Sequence, residues 1–297
     1  MPTIATFVFF DIETTGLPWQ EKNQTKITDF SFVAASRKIL EATSYGQTPL
    51  VSKFTVVLNP ERAIHPKVRT LTGLSNELLQ HAPVFKRIVK SLIMFLEDLT
   101  RPVCLVAHNG NVFDFKILLA ECHDAGVSLP EDLLCVDSLV GFRALLKNSS
   151  LTYKDFEDIQ EISLESGKRS EETISDQDIL TDDEDEWSDL NLTNEELDEI
   201  DDICSSVSEF EEPACKPVNT QRSKAIGNVF DKKTATNDFK LTSLYKRLLN
   251  KEEINAHRAE VDCLILAECV VAMKHDFLPW ADDNCTMLTK IKPLVRY

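Results

Sequence analysis

The stretch Thr6-Phe-Val-Phe-Phe-Asp-Ile-Glu-Thr-Thr-Gly-Leu-Pro18 decides the fold of this 297-residue chain. Its first five residues are aromatic or β-branched, which predicts a strand covered on both faces. The breakers from Thr15 to Pro18 predict where that strand stops. Asp11 and Glu13 are two residues apart, so a strand presents both carboxylates on one face, where they can share a cation. Alone, such a pair also fits a simple acidic turn at a strand end.

The segments that follow alternate between strand-like and helix-like patterns. Strands are predicted at 27–36, 53–58, 102–107 and 133–136, and helices at 84–99, 112–124, 138–146, 241–249 and 259–274. The first strands predict an antiparallel start to the sheet, and the later alternation indicates parallel neighbours. We therefore predict an α/β fold, with a mixed central sheet flanked by helices.

A strongly acidic segment interrupts this pattern. Residues 155–212 contain 24 acidic residues, with Lys168 and Arg169 as their only basic ones, which gives a net charge of −22. The whole chain carries −17, so the remainder is close to +5 and is compatible with a nucleic-acid partner. Sparse apolar residues predict a disordered insertion at 152–236 between two parts of one domain, 1–151 and 237–297.

The eight cysteines include no C-x-x-C pair, so neither a zinc module nor a disulfide framework is indicated. Reduced thiols in an intracellular protein are the simpler interpretation. The apolar start lacks a basic region and runs directly into Asp11, which argues against a signal peptide. The apolar run 261–273 contains Asp262 and Glu268 and is too short to span a bilayer. We expect a soluble protein of the nucleus or cytoplasm, with no membrane anchor.

Two further polar groups stand at predicted element boundaries. Asp114 falls in the first turn of a helix after a buried strand, where the helix dipole favours a carboxylate and where ligand sites in α/β sheets cluster. His257 and Asp262 are five residues apart, so they converge only if His257 precedes the helix. Read singly, these residues also fit a helix-start acid and a solvated loop histidine.

Three motifs together resemble those of the DEDDh 3′-to-5′ exonuclease superfamily: Phe9-Phe-Asp-Ile-Glu-Thr-Thr-Gly-Leu-Pro18, Leu105-Val-Ala-His-Asn-Gly-Asn-Val-Phe-Asp-Phe-Lys-Ile-Leu118 and His257-Arg-Ala-Glu-Val-Asp262. With Leu71-Thr-Gly-Leu74 and Leu278-Pro-Trp-Ala-Asp282, they resemble the three-prime repair exonuclease (TREX) family over residues 5–150 and 238–297. The resemblance implies an RNase H-like fold, removal of nucleotides from single-stranded or frayed DNA 3′ ends, magnesium dependence and a homodimer.

The resemblance also implies roles for individual residues. The implied metal carboxylates are Asp11, Glu13, Asp114 and Asp262, and His257 is the implied general base. Contacts to the terminal nucleotide are implied for Glu13, Thr14, Phe113 and Asp262, and packing against its base for Leu17 and Leu71. The chain departs from the family in two respects. The short loop before the third motif is replaced by the acidic insertion, and the membrane-anchoring C-terminal extension of one branch is missing, which favours a soluble enzyme.

The expected chemistry is phosphodiester hydrolysis with two metal ions about 3.5–4 Å apart. Asp11 is expected to bridge the ions. Ligands that are all oxygen favour Mg²⁺, with Mn²⁺ as a substitute, over zinc. His257 is expected to take the proton from the attacking water, and activity is expected to fall below about pH 6, because the reference pKa of histidine is about 6.5.

Alternatives remain open at this point. The motifs select the chemistry and not the sugar, so an RNA-trimming exonuclease of the same superfamily fits them as well. A non-catalytic acidic interaction protein is the alternative of another class. The insertion is interpreted as a solvated spacer, or as a segment that binds basic partners or competes with DNA for the basic surface of the body.

Overall fold

The computed structural model describes residues 3–147, 152–153, 238–252 and 257–296. In these residues six strands form one sheet: β1 Thr6–Thr14, β2 Ile27–Ser36, β3 Ser52–Val57, β4 Val103–Ala107, β5 Leu134–Asp137 and β6 Thr286–Met287. The α-helices are α1 Arg37–Ala42, α2 Pro66–Thr72, α3 Asn76–Leu79, α4 Phe85–Glu97, α5 Asp114–Ala125, α6 Ser138–Leu146, α7 Leu241–Leu249, α8 Ala259–Ala272 and α9 Lys274–Asn284.

The strand order β3-β2-β1-β4-β5-β6 confirms the predicted mixed sheet flanked by helices. β1 pairs antiparallel with β2, and β2 with β3, so the first three strands form the predicted antiparallel start. β4 and β5 are added in parallel after β1. The carboxyl ends of β1, β4 and β5 therefore meet at one edge of the sheet.

The predicted strands and longer helices are present, with ends that differ by a few residues. The short helices α1 to α3 were not predicted, because four to seven residues are too few for an apolar period. Local caps start them instead: the hydroxyls of Ser36 and Ser75 accept backbone N–H groups of α1 and α3. α9 was also missed, because Pro279 interrupts its pattern. The predicted acidic insertion, 152–236, lies outside the described residues except for its first two.

The sheet separates two apolar cores, and β1 contributes to both. Phe7 and Phe9 belong to the core beneath α6, α7, α8 and α9. Val8 and Phe10 belong to the core beneath α4 and α5. This alternation follows the two-residue period of a strand, and it turns the side chains of odd-numbered residues of β1 toward α8.

α8 is the central helix of the first core. Eleven of its fourteen residues are buried, so it is apolar on all sides, as a helix enclosed by other elements must be. In the part of the chain that the structure describes, no helix is long and apolar enough to cross a membrane. The consequence of this burial is that the first turn of α8 is held firmly over β1 and β2.

Two side chains of the body hold the residues on either side of the undescribed stretch 154–237. The Tyr45 hydroxyl lies 2.5 Å from the carbonyl oxygen of Leu248 and 3.4 Å from that of Tyr153. His108 is half-buried, and its Nε2 atom lies 2.9 Å from the carbonyl oxygen of Phe239. Both flanks of the stretch are therefore fixed to the sheet domain.

The turn after β4 is too tight for a side chain at Gly110. A Cβ atom there would lie 2.6 Å from the Ala107 Cβ and 2.7 Å from Cε2 of Phe115. The preceding Asn109 has a positive φ of 61°, which asparagine tolerates better than most residues. This turn leads directly into α5 and so sets the position of Asp114.

We predict that Gly110→Ala lowers the free energy of unfolding by about 1–3 kcal/mol, the usual cost of overpacking a closely packed site. Urea unfolding of the purified variant measures this loss. Adding Ala107→Gly removes the shorter contact, so the double variant should be more stable than the sum of the two single changes implies. Strict additivity, or an unchanged stability of Gly110→Ala, would contradict the steric explanation.

Candidate active site

Three carboxylates converge where β1 faces α8. Oxygen atoms of Asp11, Glu13 and Asp262 all lie within 4.8 Å of one another. Asp11 and Glu13 occupy odd-numbered positions of β1 and so point toward α8, while Asp262 lies in the first turn of that helix. The structure thus brings together residues from the first and third sequence motifs.

Asp114 approaches the same cluster from the other side of β1. It is the first residue of α5 and is 4% exposed. Its carboxylate accepts the backbone N–H of Ile12, which stands between the two acidic residues of β1. Asp114 is not one of the three mutually close carboxylates, but its charge acts on both Asp11 and Glu13.

The acidic cluster holds its negative charges at an electrostatic cost. Burial, followed by the charges of Asp262 and Asp114, raises the pKa of Asp11 well above its ordinary value. Burial and the same neighbours, with Asp29, do so for Glu13. Burial, followed by the charge of Asp137, raises the pKa of Asp114 to about 8. Bringing a cation to the cluster would favour the ionised forms and offset this cost.

His257 lies in the turn that leads into α8, the position needed for it to meet Asp262. Its φ angle of 74° is uncommon for a residue with a side chain. The bent backbone lets its N–H donate to Oδ2 of Asp262 at 2.9 Å. Burial lowers the pKa of the half-buried imidazole. The neutral ring, which can accept a proton, is therefore the favoured form near neutral pH.

Asp29 is a site residue that sequence reasoning missed. It lies directly across from Glu13 in the β1–β2 pair and is 1% exposed. Its Oδ2 atom accepts a hydrogen bond from Nε of Arg258 at 2.8 Å, and its Oδ1 atom accepts the N–H of Phe30 at 3.0 Å. The sequence feature that could have identified Asp29 is an acidic residue within β2, a strand otherwise composed of apolar or small residues.

Asp137 is a second residue that was missed. It ends β5 at the same sheet edge, and its carboxylate accepts the N–H groups of Asn109, Asn111 and Leu139, each at 3.0 Å. These bonds tie the turn after β4 to the start of α6 and so position the beginning of α5. The signal was its place at the carboxyl end of a parallel strand, where ligand sites gather.

Four of the six residues expected to contact the nucleotide lie outside the cluster of three carboxylates, and they differ in burial. Thr14 is buried, and its hydroxyl donates to the carbonyl of Gly16 at 2.9 Å. Leu17, Leu71 and Phe113 are half-buried. The N–H of His65 donates to the carbonyl of Thr15 at 2.8 Å, which fixes the start of α2, and hence the helix of Leu71, beside the turn of Leu17. Their roles in binding stay predictions.

The donor set suits a hard divalent cation. All the candidate ligand atoms are carboxylate oxygens, the type that Mg²⁺ and Mn²⁺ prefer. Cys263 follows Asp262 in the sequence, but its thiol is buried and donates to the carbonyl of Ser31 at 3.5 Å, so it does not join the set. The four carboxylates could therefore hold a metal ion, with His257 beside them as a proton acceptor.

Known proteins are similar to this chain over about half of its length. The profile of the exonuclease family (RNase_T) matches residues 8–170. The three prime repair exonuclease 2 of Mus musculus is 37% identical over 150 residues, which are 48% of this chain and 64% of that protein. The three-prime repair exonuclease 1 of Homo sapiens is 35% identical over 158 residues, which are 49% of each chain. The match therefore spans less than two thirds of either relative.

A solved structure also shares the fold. The zinc-bound complex of E. coli ExoI with single-stranded DNA aligns with 94% of this chain and 43% of its own, with a TM-score of 0.51. At 13% sequence identity, this likeness supports the fold alone.

The raised pKa of Asp114 generates a prediction about the metal-free protein. Because folding favours the protonated form, the stabilising contribution of this group is complete below about pH 4 and is lost as the pH rises toward about 8. Asparagine does not ionise, so the Asp114→Asn variant does not lose stability in this way as the pH rises. In EDTA at pH 8 we expect this variant to raise Tm by roughly 2–4 °C for each kcal/mol of destabilisation that it removes.

Thermal unfolding at pH 5 and pH 8 checks this expectation, with Asp276→Asn as the matched control. Asp276 also lies in the first turn of a helix, α9, but is exposed. The gain in Tm of Asp114→Asn should grow with pH, while the control should stay near wild type. A gain that is the same at both pH values would contradict the electrostatic origin.

Proposed function

Because this chain belongs to the exonuclease (RNase_T) family, we propose that it is a metal-dependent 3′-to-5′ exonuclease that removes nucleotides from DNA ends. The observation that carries the proposal is the cluster of Asp11, Glu13 and Asp262, whose oxygens lie within 4.8 Å of one another. The backbone N–H of His257 donates to Asp262, which supports His257 as a candidate base beside the cluster. A partly buried group of like charges is costly, and a bound cation would offset that cost.

DNA is proposed as the substrate because of the relatives. The two relatives described above are repair exonucleases by name. Single-stranded or frayed 3′ ends are the simplest substrate for a site at one sheet edge. DNA repair or DNA degradation is the biological role that follows from this substrate. Homodimerisation, a nuclear or cytoplasmic location and a binding role for the acidic segment stay predictions.

The carboxylates of Asp11, Glu13, Asp114 and Asp262 are proposed to hold the cation, with Mg²⁺ favoured by their oxygen atoms. Bound there, divalent ions supply positive charge to the reacting phosphodiester group. The burial of Asp114 and the fixed position of α8 keep the carboxylates in place before substrate binds. Pre-organised ligands of this kind spare the cost of rearrangement during the reaction.

His257 is proposed to accept the proton of the attacking water. The turn before α8 aligns its backbone with Asp262, and burial keeps its pKa below the ordinary value. The imidazole is consequently neutral over a wider pH range than a solvated histidine. The acid limb of activity that this base produces should lie below about pH 6.5, the reference value.

The central test is digestion of an end-labelled single-stranded DNA with Mg²⁺, with Mn²⁺ and with excess EDTA. We expect stepwise shortening from the 3′ end with either metal and none in EDTA. An RNA of the same sequence, run in parallel, should be cut more slowly. Faster cutting of RNA would overturn the choice of substrate, and turnover that persists in EDTA would overturn the metal-dependent mechanism.

We predict that His257→Ala lowers kcat by roughly 10²–10⁴-fold, the usual contribution of a positioned general base, with little change in DNA affinity. The matched control is His275→Ala, because His275 is exposed on α9 and is not one of the proposed site residues. Single-turnover rates and anisotropy titrations measure the two quantities. A rate equal to that of the control would eliminate His257 as the base.

For Asp262→Asn we predict loss of metal-dependent activity, because a carboxamide brings no negative charge to the cation. The expected decrease is at least about 10²-fold in kcat at saturating Mg²⁺. Circular dichroism should show retained secondary structure, since asparagine can still accept the N–H of His257. Wild-type turnover in this variant would remove Asp262 from the proposed ligand set.

A further inference from the structure

Arg258 follows the proposed base in the sequence, and its charge acts on Glu13 of the acidic cluster, but it has no role in the mechanism so far. It is the N-cap of α8 and follows His257 directly. Its Nε atom donates to the buried carboxylate of Asp29 at 2.8 Å. The side chain is nevertheless 44% exposed, whereas the side chain of Asp29 is 1% exposed. One nitrogen of the guanidinium group is therefore anchored to a buried carboxylate, although almost half of the side chain is exposed.

The ion pair with Asp29 brings the guanidinium group close enough for its charge to act on Glu13. Asp29 is paired across the strands with Glu13, so a cation bound to Asp29 lies beside Glu13 as well. The positive charge of Arg258 opposes the burial and neighbouring carboxylates that raise the pKa of Glu13. The two terminal nitrogens have no hydrogen-bond partner among the described residues. They can donate a pair of parallel hydrogen bonds, the geometry that suits a phosphate group.

We infer that Arg258 is a further substrate-binding residue, which contacts a backbone phosphate of the nucleic-acid strand and is held in position by Asp29. The inference rests on the proposed function, because it supplies the phosphate. A polyanion that approaches four carboxylates meets strong repulsion, and a fixed guanidinium group at their edge offsets part of it. Asp29 acts through Arg258 and is a positioning residue.

The competing explanation is that the ion pair only holds the start of α8. Both explanations predict some loss of stability when the pair is broken. They differ in salt dependence, because a phosphate contact releases counterions from the strand and an internal ion pair does not. Binding at several salt concentrations therefore separates them.

The test is an anisotropy titration of full-length protein with a labelled single-stranded oligothymidylate, in Ca²⁺ to limit turnover, over a range of KCl concentrations. For Arg258→Met we expect a roughly tenfold higher Kd and a slope of log Kd against log salt reduced by about 0.7. Lys53→Met is the matched control. Lys53 is also ion-paired at α8, through Glu260 at 2.8 Å, but on β3 and in solvent. It should change Kd less than about twofold.

Asp29→Asn gives a second, sign-sensitive readout. If charge alone matters, removing the negative charge of Asp29 should tighten binding of the polyanionic oligonucleotide. Loss of the anchor predicts the opposite, namely weaker binding although Arg258 is retained. Arg258→Lys keeps the positive charge but cannot donate the pair of parallel hydrogen bonds, so it should bind with intermediate affinity. This variant also provides a test if Arg258→Met does not fold.

The outcomes separate this inference from the proposed function. Normal 3′ shortening by wild type, together with equal Kd and slope for Arg258→Met and Lys53→Met, overturns the inference alone. Weaker binding and a smaller slope in Arg258→Met support it, even if wild type fails to shorten DNA and the proposed function falls. Wild type that neither binds nor shortens the strand overturns both.

Discussion

The constraint on which this structure depends is the mutual repulsion of carboxylates gathered where β1 meets α8. Asp11, Glu13 and Asp262 share a space less than 5 Å across, and burial makes their charges more costly. The surrounding apolar cores must hold them together against this repulsion. The burial of α8 on all sides thus stabilises the position of the charged site at its first turn.

Much of the fold followed from residue patterns. The run from Thr6 to Phe10 predicted a buried strand, and the two-residue spacing of Asp11 and Glu13 placed both on one face, as the structure has them. Apolar periods predicted the longer helices. These features depend on neighbours within a few residues, so a single sequence contains enough information about them.

The rest of the site depends on contacts between distant segments. Asp29 and Arg258 are 229 residues apart, and no local pattern links them. Asp137 ends β5, but two of its hydrogen-bond donors lie in the turn after a different strand, β4. The convergence of His257 with Asp262 requires a positive φ angle at His257, which few residues adopt. The sequence therefore showed only that His257 must precede the helix, and the structure shows the backbone conformation that achieves it.

His108 and Tyr45 fasten the chain on both sides of residues 154–237, so the described domain is built from two separate portions of the chain. Three of the four carboxylates come from the first portion, and Asp262 with His257 comes from the second. The portions are joined through the buried surface of α8 as well as through the peptide chain. Neither portion holds the complete set of carboxylates, so the site exists only where the two portions have packed together.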